Sequence, residues 1–287
     1  CMKYFKYFFQ FLFVILCFLI FKILGPNLSS RVSGKIFETI GPFFRPKKII
    51  LSNIKKAFPE NDSKHSDTLT KIMWNNYGRV FAEYMFMKDF RFGKLQQNIE
   101  IEGQNILEEI KNTNNQVVFI SGHFSNFELM AMYLEKSGIK LSAIYRPLNN
   151  IFLNKIMEKI RKKYICKNQI KKGLGGMKKL IKLKKNNFST ALMIDQRVSE
   201  GILSSFFNSQ ALTTTVPAQL VKKFNIPIVP VYIQRKEGIK FKIIIEKPLK
   251  FSEADKIEDI TIKLNQVLEK MILRKPEQWI WSHNRWK

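Results

Sequence analysis

A histidine and a carboxylate lie close together where one hydrophobic run of the sequence ends. The stretch Phe119–Glu128 reads FISGHFSNFE, so that His123 follows Gly122 and Glu128 comes five positions later. A histidine can accept a proton from a hydroxyl near neutral pH, and a carboxylate bound to the ring fixes its tautomer and stabilises the imidazolium. The pattern therefore predicts His123 as a general base that Glu128 orients.

The same stretch is also typical of a helix start. Ser125 and Glu128 have the Ser-x-x-Glu spacing of a capping box, in which each side chain accepts a backbone N–H in the first turn. This interpretation accounts fully for Glu128 but leaves His123 without a role. From these residues alone, capping and catalysis explain Glu128 equally well.

A scaffold must place these side chains, and the sequence predicts an α/β fold with a mostly parallel central sheet flanked by helices. Apolar runs rich in β-branched residues alternate with helical patterns, which is typical of buried parallel strands. The predicted strands are 116–121, 141–146, 189–195 and 226–234, with an antiparallel partner near Lys240. One domain is expected over residues 26–287, and its first part, 26–100, is expected to be helical.

Polar residues stand at the ends of three of these strands. His123 follows the first strand, Arg146 ends the second, and Asp195 ends the third. In an open α/β sheet the ligand crevice lies beyond the carboxyl ends of the strands. The three residues are therefore expected to face one crevice.

The first 25 residues are predicted to form a membrane anchor. Within them, residues 7–24 are apolar except for Gln10 and Lys22. As a helix this segment would be about 27 Å long, which is marginal for crossing a bilayer. More basic residues follow the segment than precede it, and this favours a cytoplasmic C-terminal part. A cleaved signal peptide and a buried helix of the domain are the alternatives.

The formal net charge of +26 over 287 residues indicates an anionic partner. Nucleic acid, an acidic membrane, a phosphorylated lipid and an acidic carrier protein all fit the composition. The same charge is expected to lower the pKa of His123, with Glu128 opposing the shift. Three cysteines and three histidines give no disulfide framework and little support for a metal site, so neither a metal nor a cofactor is expected.

Four blocks of the sequence carry a recognisable pattern: GHFSNFE from Gly122, YRPLNN from Tyr145, DQRVSEGILSSFFNSQALTTTVPAQL from Asp195 and PEQWIWSHNRWK from Pro276. Together they resemble the late acyltransferases of lipid A biosynthesis, the lauroyl and myristoyl transferase family of the lysophospholipid acyltransferase superfamily. The resemblance extends from the N-terminal segment to the last residue. The chain departs mildly from it at Phe127, where the family more often has Trp.

This resemblance implies an O-acyltransferase of lipopolysaccharide biosynthesis. It would move a fatty acyl chain from an acyl carrier protein thioester to a hydroxyl of a phosphorylated lipid A precursor, with His123 deprotonating that hydroxyl. Arg146 is expected to bind phosphate or stabilise the oxyanion.

Three further residues belong to the substrate site that the resemblance implies. Asp195 is expected to position Arg146 or Arg197, with an ordinary surface ion pair as the alternative. Thr215 is expected either to hold an anion or only to cap a helix. Arg285 is expected to contact a lipid phosphate.

The resemblance also implies a place in the cell: the inner membrane, with the catalytic domain on its cytoplasmic face. Anionic lipid and an acidic carrier protein would then account for the positive charge. No recognised nucleic-acid-binding motif is found, so nucleic acid is not expected as a partner. Two alternatives stay open: an acyltransferase acting on another glycolipid or a lysophospholipid, and a non-enzymatic basic protein that binds anionic membrane or nucleic acid.

Overall fold

The computed structural model describes residues 2–287; residue 1, the first of the predicted anchor, lies outside them. Helices come first: α1 (Met2–Phe44), α2 (Lys47–Ala57), α3 (Ser63–Glu83) and α4 (Met87–Phe92). Strands and helices then alternate as β1 (Ile99–Glu102), α5 (Gln104–Asn112), β2 (Val118–Ser121), α6 (Glu128–Lys136), β3 (Leu141–Tyr145), α7 (Ile151–Ile160), β4 (Asn168–Lys171), α8 (Leu174–Lys184) and β5 (Ser189–Met193). The last elements are β6 (Ile202–Phe206), β7 (Ser209–Thr213), α9 (Val216–Phe224), β8 (Ile228–Glu237), β9 (Lys240–Ile245) and α10 (Ile257–Arg274).

Seven of the strands form one sheet in the order β1-β9-β8-β2-β5-β3-β4. Neighbouring strands run parallel except for β8 and β9, which are antiparallel. All residues of the central strand β2 are buried, which explains why three of its four residues, Val118 to Ile120, form an apolar run. The predicted mostly parallel α/β sheet is confirmed, and so is its antiparallel partner near Lys240.

The two edge strands and one hairpin do not follow from the sequence pattern. Strands β1 and β4 have only four residues each and carry polar side chains, so neither shows a buried run. Strands β6 and β7 form a separate two-stranded sheet. Its turn uses Phe207 and Asn208, both with positive φ (47° and 54°), a geometry typical of a tight two-residue hairpin.

Helix α1 bends at Gly25, whose φ of 75° lies in the left-handed region, and Pro26 follows it. The helical run continues to Phe44, beyond the predicted anchor range 1–25. Only 6% of its most apolar 18-residue window is buried. The alternative that this segment is a buried helix of the domain is therefore wrong.

The second half of α1 packs closely on α3. The Ser33 hydroxyl donates to the carbonyl of Gly78 at 2.6 Å, and a Cβ added at Gly78 would collide with the backbone of Ser33. A Cβ at Gly41 would likewise collide with the Trp74 ring. The small residues at these contacts allow α1 to pack closely against α3, the helix that ends at Glu83.

Candidate active site

His123 lies in the loop between β2 and α6, at the carboxyl end of β2, and contacts a buried carboxylate. Its ring Nδ1 is 2.8 Å from Oδ1 of Asp195, and its backbone N–H donates to Oδ2 at 2.7 Å. The indole N–H of Trp279 donates to the same Oδ2 at 2.9 Å. Asp195 is fully buried, so these donors hold it in one orientation. The carboxylate keeps the proton on Nδ1 and leaves Nε2 as the proton acceptor.

The position of Asp195 follows from the sheet. It comes just after β5, which pairs in parallel with β2, so that the ends of the two strands are adjacent. The predicted partners of Asp195 are wrong: Arg197 donates its Nε–H to the carbonyl of Lys287, and the side chain of Arg146 has no hydrogen bond or ion pair within residues 2–287. The surface ion pair is wrong as well, because the side chain of Asp195 has no contact with solvent.

Asp195 also determines the direction of the pKa shift of His123. Burial disfavours the imidazolium, but the charge and hydrogen bond of Asp195, with a smaller contribution from the charge of Glu128, outweigh burial, and the pKa of His123 is raised above its usual value. Burial likewise opposes the charge of Asp195, yet the charge and hydrogen bonds of His123 lower its pKa. The expected lowering for His123 is wrong, because a carboxylate in contact acts more strongly than distant, screened lysines.

Glu128 contacts Arg161 and not His123, the partner that its position in the sequence suggests. Its Oε1 accepts from Nε and Nη2 of Arg161 at 2.9 and 2.5 Å. The pKa of Arg161 is raised, because Glu128 outweighs the effect of burial. Among the hydrogen bonds of residues 2–287, none joins Glu128 to His123. The predicted contact between Glu128 and the histidine ring is thus replaced by the contact with Asp195.

Ser125 does not cap α6. Its φ is +44°, its N–H donates to the carbonyl of Gln278 at 2.9 Å, and its buried hydroxyl has no partner in residues 2–287. The helix begins only at Glu128, and its N-terminus has no side-chain cap. The capping-box interpretation is therefore wrong. A left-handed conformation is uncommon for serine, and its presence beside His123 marks a loop that distant contacts hold in place.

One of these contacts is a buried ionic network. Asn126 donates its Nδ2–H to Oε2 of Glu83 at 3.0 Å. The same carboxylate accepts from the guanidinium of Arg235 at 2.5 and 3.1 Å and from the hydroxyl of Ser30 at 2.8 Å. Glu83 is fully buried. It thereby ties α1, α3 and β8 to the loop that carries His123.

We expect Glu83→Gln to lower the free energy of unfolding by about 3–5 kcal/mol, because it leaves Arg235 buried without a counterion. Denaturant unfolding in detergent measures the change. Glu246→Gln is the matched control: Glu246 pairs with Arg274 at the surface, where such a pair is worth about 0–1 kcal/mol. Equal effects of the two substitutions would contradict the role of Glu83.

His123 and Glu128 line a cavity of about 620 Å³. Much of the lining is aliphatic: Ala131, Ala143, Ile144, Ile165, Ile170, Met177, Ala191, Leu192, Met193 and Val198. Cationic side chains also face it, namely Arg146, Arg161, Lys171 and Lys172. The side chain of His123 is 19% exposed, so its ring is accessible from this space. Such a cavity fits an apolar chain joined to an anionic group.

The other predicted substrate contacts lie elsewhere. Arg285 is fully buried, donates to the carbonyl of Leu212 and the hydroxyl of Thr213 at 2.8 and 2.7 Å, and stacks on Phe206. The predicted contact between Arg285 and a lipid phosphate is wrong, because the guanidinium does not reach the surface. Thr215 does not line the cavity, and its hydroxyl accepts from Gln219 at 3.0 Å. The alternative that Thr215 caps a helix is wrong as well, because its side chain makes no capping hydrogen bond at the start of α9.

A second histidine lies in the C-terminal segment near the site. His283 Nε2 accepts the backbone N–H of Arg197 at 2.9 Å. Burial lowers the pKa of His283 to about 4, so the ring is neutral at pH 7. Because its acceptor nitrogen is occupied, His283 connects the C-terminus to the segment after Asp195 and is not a second base.

Comparison with known proteins identifies relatives over nearly the whole chain. The family model described as bacterial lipid A biosynthesis acyltransferase matches residues 2–287. Lipid A biosynthesis acyltransferase 2 of Shigella flexneri is 24% identical over 89% of this chain and 82% of that protein. The lauroyltransferase of Escherichia coli (strain K12) is also 24% identical, over 85% of this chain and 79% of its own, and the myristoyltransferase is 21% identical, over 86% and 76%. The crystal structure of the 1-acyl-sn-glycerophosphate acyltransferase from Thermotoga maritima aligns with a TM-score of 0.43 and 14% identity, over 93% of this chain and 98% of that chain.

Proposed function

This chain belongs to the bacterial lipid A biosynthesis acyltransferase family, and we propose that it transfers a fatty acyl chain from an acyl carrier protein thioester to a hydroxyl of a phosphorylated lipid A precursor. Membership makes it an acyltransferase with a lipid A glycolipid as acceptor. The observation that carries the finer proposal is His123, fixed by buried Asp195 at the wall of an aliphatic cavity that also has cationic side chains.

In the proposed reaction, Nε2 of His123 takes the proton of the acceptor hydroxyl as its oxygen attacks the thioester carbonyl. The imidazolium that forms is stabilised by Asp195, which is ionised and 2.8 Å from Nδ1. The tetrahedral intermediate then collapses to the ester, the carbon–sulfur bond breaks, and the proton passes from His123 to the leaving thiolate. His123 is neutral again at the end of the transfer, and the thiol carries the proton.

Positive charge in the cavity has two proposed uses. Arg161, held by Glu128, provides a fixed guanidinium for the oxygen that becomes negative in the intermediate. Arg146 is exposed and lines the cavity, which suits it to bind a phosphate of the acceptor. In this proposal Glu128 contributes to catalysis through Arg161, whereas Asp195 orients His123.

The donor and the membrane account for the large net charge. Lys171 and Lys172 line the cavity and lie near the basic helices α7 and α8, so an acidic carrier protein is the proposed docking partner there. Helix α1 exposes an apolar surface, and we assign the protein to the inner membrane with its catalytic part on the cytoplasmic face.

Product analysis tests the function. The purified protein is incubated with carrier-protein thioesters of different chain lengths and a tetra-acylated lipid A precursor, and the mass of the product is measured. We expect the gain of one acyl group. No gain at any chain length, or a gain only on lysophospholipid or another glycolipid acceptor offered in parallel, would overturn the proposal.

The aliphatic lining predicts the outcome of filling the cavity. Ala191→Leu adds volume in β5, and we expect the ratio of kcat/KM for long over short acyl donors to fall about tenfold or more, since one methylene in a fitted pocket is worth about 1–3 kcal/mol. Competition between two carrier-protein thioesters measures the ratio. Ala254→Leu, at an exposed position before α10, is the control and is expected to leave the ratio unchanged. An unchanged ratio in Ala191→Leu would show that the acyl chain binds elsewhere.

A further inference from the structure

Arg161, whose guanidinium lines the cavity, is the first residue of an unusual helical turn. Helix α7 ends at Ile160, and residues Arg161–Ile165 form a π-helical turn. The backbone N–H of Cys166 donates to the carbonyl of Arg161 at 2.8 Å, which closes the wider ring of this geometry. Such turns are rare in proteins and occur frequently at functional sites. The direction of Arg161 thus depends on what holds this turn in place.

Arg91, in α4, holds the end of the π-helical turn. Its Nη1 donates to the carbonyls of Tyr164 and Ile165 at 3.4 and 3.2 Å. The last carbonyls of a helical segment have no partner within the segment and must find one outside it. A guanidinium has several donors in one rigid plane, so it can satisfy both carbonyls and fix their position.

Glu135, in α6, holds Arg91 and also contacts the chain beyond the turn. Its Oε2 accepts from Nη2 of Arg91 at 2.6 Å, and its Oε1 accepts the backbone N–H of Lys167 at 2.7 Å. The side chains of Arg91 and Glu135 are only 14% and 19% exposed, so water and salt screen this pair less than a surface pair. The pair therefore joins α4 and α6 to both sides of the end of the π-helical turn.

Both carboxylates that hold the turn come from one face of α6. Glu128 and Glu135 are separated by about two helical turns, so they lie on the same side of the helix. Glu128 accepts from the side chain of Arg161, whereas Glu135 fixes the backbone at the other end of the turn. The π-helical turn is thus attached at both ends to the helix that follows the loop of His123.

We propose that Arg91 and Glu135 are positioning residues for acyl transfer: they fix the π-helical turn so that Arg161 points at the oxygen that becomes negative in the intermediate. This inference rests on the proposed function and on the role given there to Arg161. Neither Arg91 nor Glu135 lines the cavity, so both act through Arg161 and not on the substrate. A donor stabilises the intermediate best when it is already in place as the charge develops, because no free energy is then spent on reorienting it.

A double-mutant cycle tests this role. Arg91→Gln, Arg161→Gln and the double variant are compared in detergent, and kcat and KM are measured with a carrier-protein thioester and a lipid A precursor. We expect Arg91→Gln to lower kcat about tenfold, since displacing a reacting group by about 1 Å can cost about 10²-fold. The KM for each substrate should stay, because Arg161 stabilises a charge that exists only in the intermediate. In the Arg161→Gln background, Arg91→Gln should change kcat by less than about twofold, since no guanidinium is left to position.

Two results would overturn the positioning role alone. One is additive losses in the double variant, because a residue that only supports folding lowers kcat by the same factor with or without Arg161. The other is a full rate in Arg161→Gln, which would leave the transfer reaction without a need for this guanidinium. Absence of transfer by the unsubstituted protein would instead overturn the proposed function.

A second variant keeps the test decisive if Arg91→Gln does not fold. Glu135→Gln retains an oxygen that can accept the N–H of Lys167 but loses the charge that holds Arg91, and we expect it to lower kcat with KM kept, again only where Arg161 is present. Arg274→Gln is the matched control, because Arg274 pairs with Glu246 at the surface in the last turn of α10. Thermal unfolding of each variant establishes that the fold is kept. Equal losses of kcat in Arg274→Gln and Arg91→Gln would contradict the role of Arg91.

Discussion

Replacing His123 by glutamine is expected to lower kcat/KM by about 10²–10⁴, since general base catalysis typically contributes that factor. Glutamine approximates the size of the ring and can hydrogen-bond Asp195, but it accepts no proton from the acceptor hydroxyl. The rate is measured with a carrier-protein thioester and a lipid A precursor, and vesicle flotation and thermal unfolding establish that membrane binding and folding are kept. His65→Gln is the matched control, because His65 is exposed in the first turn of α3.

Two results would contradict this expectation. Full transfer activity in His123→Gln would remove the general base. Equal losses in His123→Gln and His65→Gln would point to a general effect of losing a histidine. A non-enzymatic basic protein predicts no transfer by any variant, so the unsubstituted protein must show turnover before the comparison is made.

The sequence predicted the element that holds His123 but not the carboxylate that contacts it. The four predicted strands are short apolar runs, and such runs form because both faces of the sheet are covered. Placing His123 and Asp195 at strand ends also predicted that they share one edge of the sheet. Glu128 was favoured because it is nearby in sequence, whereas Asp195 is 72 residues away and reaches the ring only because β2 and β5 are neighbours.

Buried charges are the part that sequence patterns do not reveal. Glu83 and Arg161 stand in stretches that look like ordinary helices, and their partners come from other elements. Arg285 is the opposite case, because the sequence predicts that it binds a phosphate at the surface and the structure buries it. It is a buried cation compensated by a carbonyl, a hydroxyl and the Phe206 ring, so nothing in its neighbourhood in sequence distinguishes it from an arginine that binds phosphate. Only tertiary packing decides which charged residues are buried.

Asp195→Asn is expected to slow acyl transfer by about 10²–10⁴, a loss similar to that of the base itself. An amide in this place no longer stabilises the imidazolium, and its NH₂ group can donate to Nδ1, which favours the ring tautomer that carries its proton on Nε2 and cannot act as the base. The distinguishing measurement is the pH dependence of kcat/KM. The base acts when it is neutral, so the rate of the unsubstituted enzyme falls as the pH drops through the pKa of His123, which is raised.

The substitution removes the negative charge that raises this pKa, while burial of the ring, which lowers it, stays. The acidic limb of the profile is therefore expected to move to lower pH in Asp195→Asn. Glu128→Gln is the matched carboxylate-to-amide control, because Glu128 contacts Arg161 and affects the ring only through space. The acidic limb of the Glu128→Gln profile should move less than that of Asp195→Asn. The rate of Glu128→Gln can still fall, because Arg161 is no longer held in place by a carboxylate. A larger shift in Glu128→Gln would return the orienting role to Glu128 and show that the contact between Asp195 and the ring is not the catalytic one.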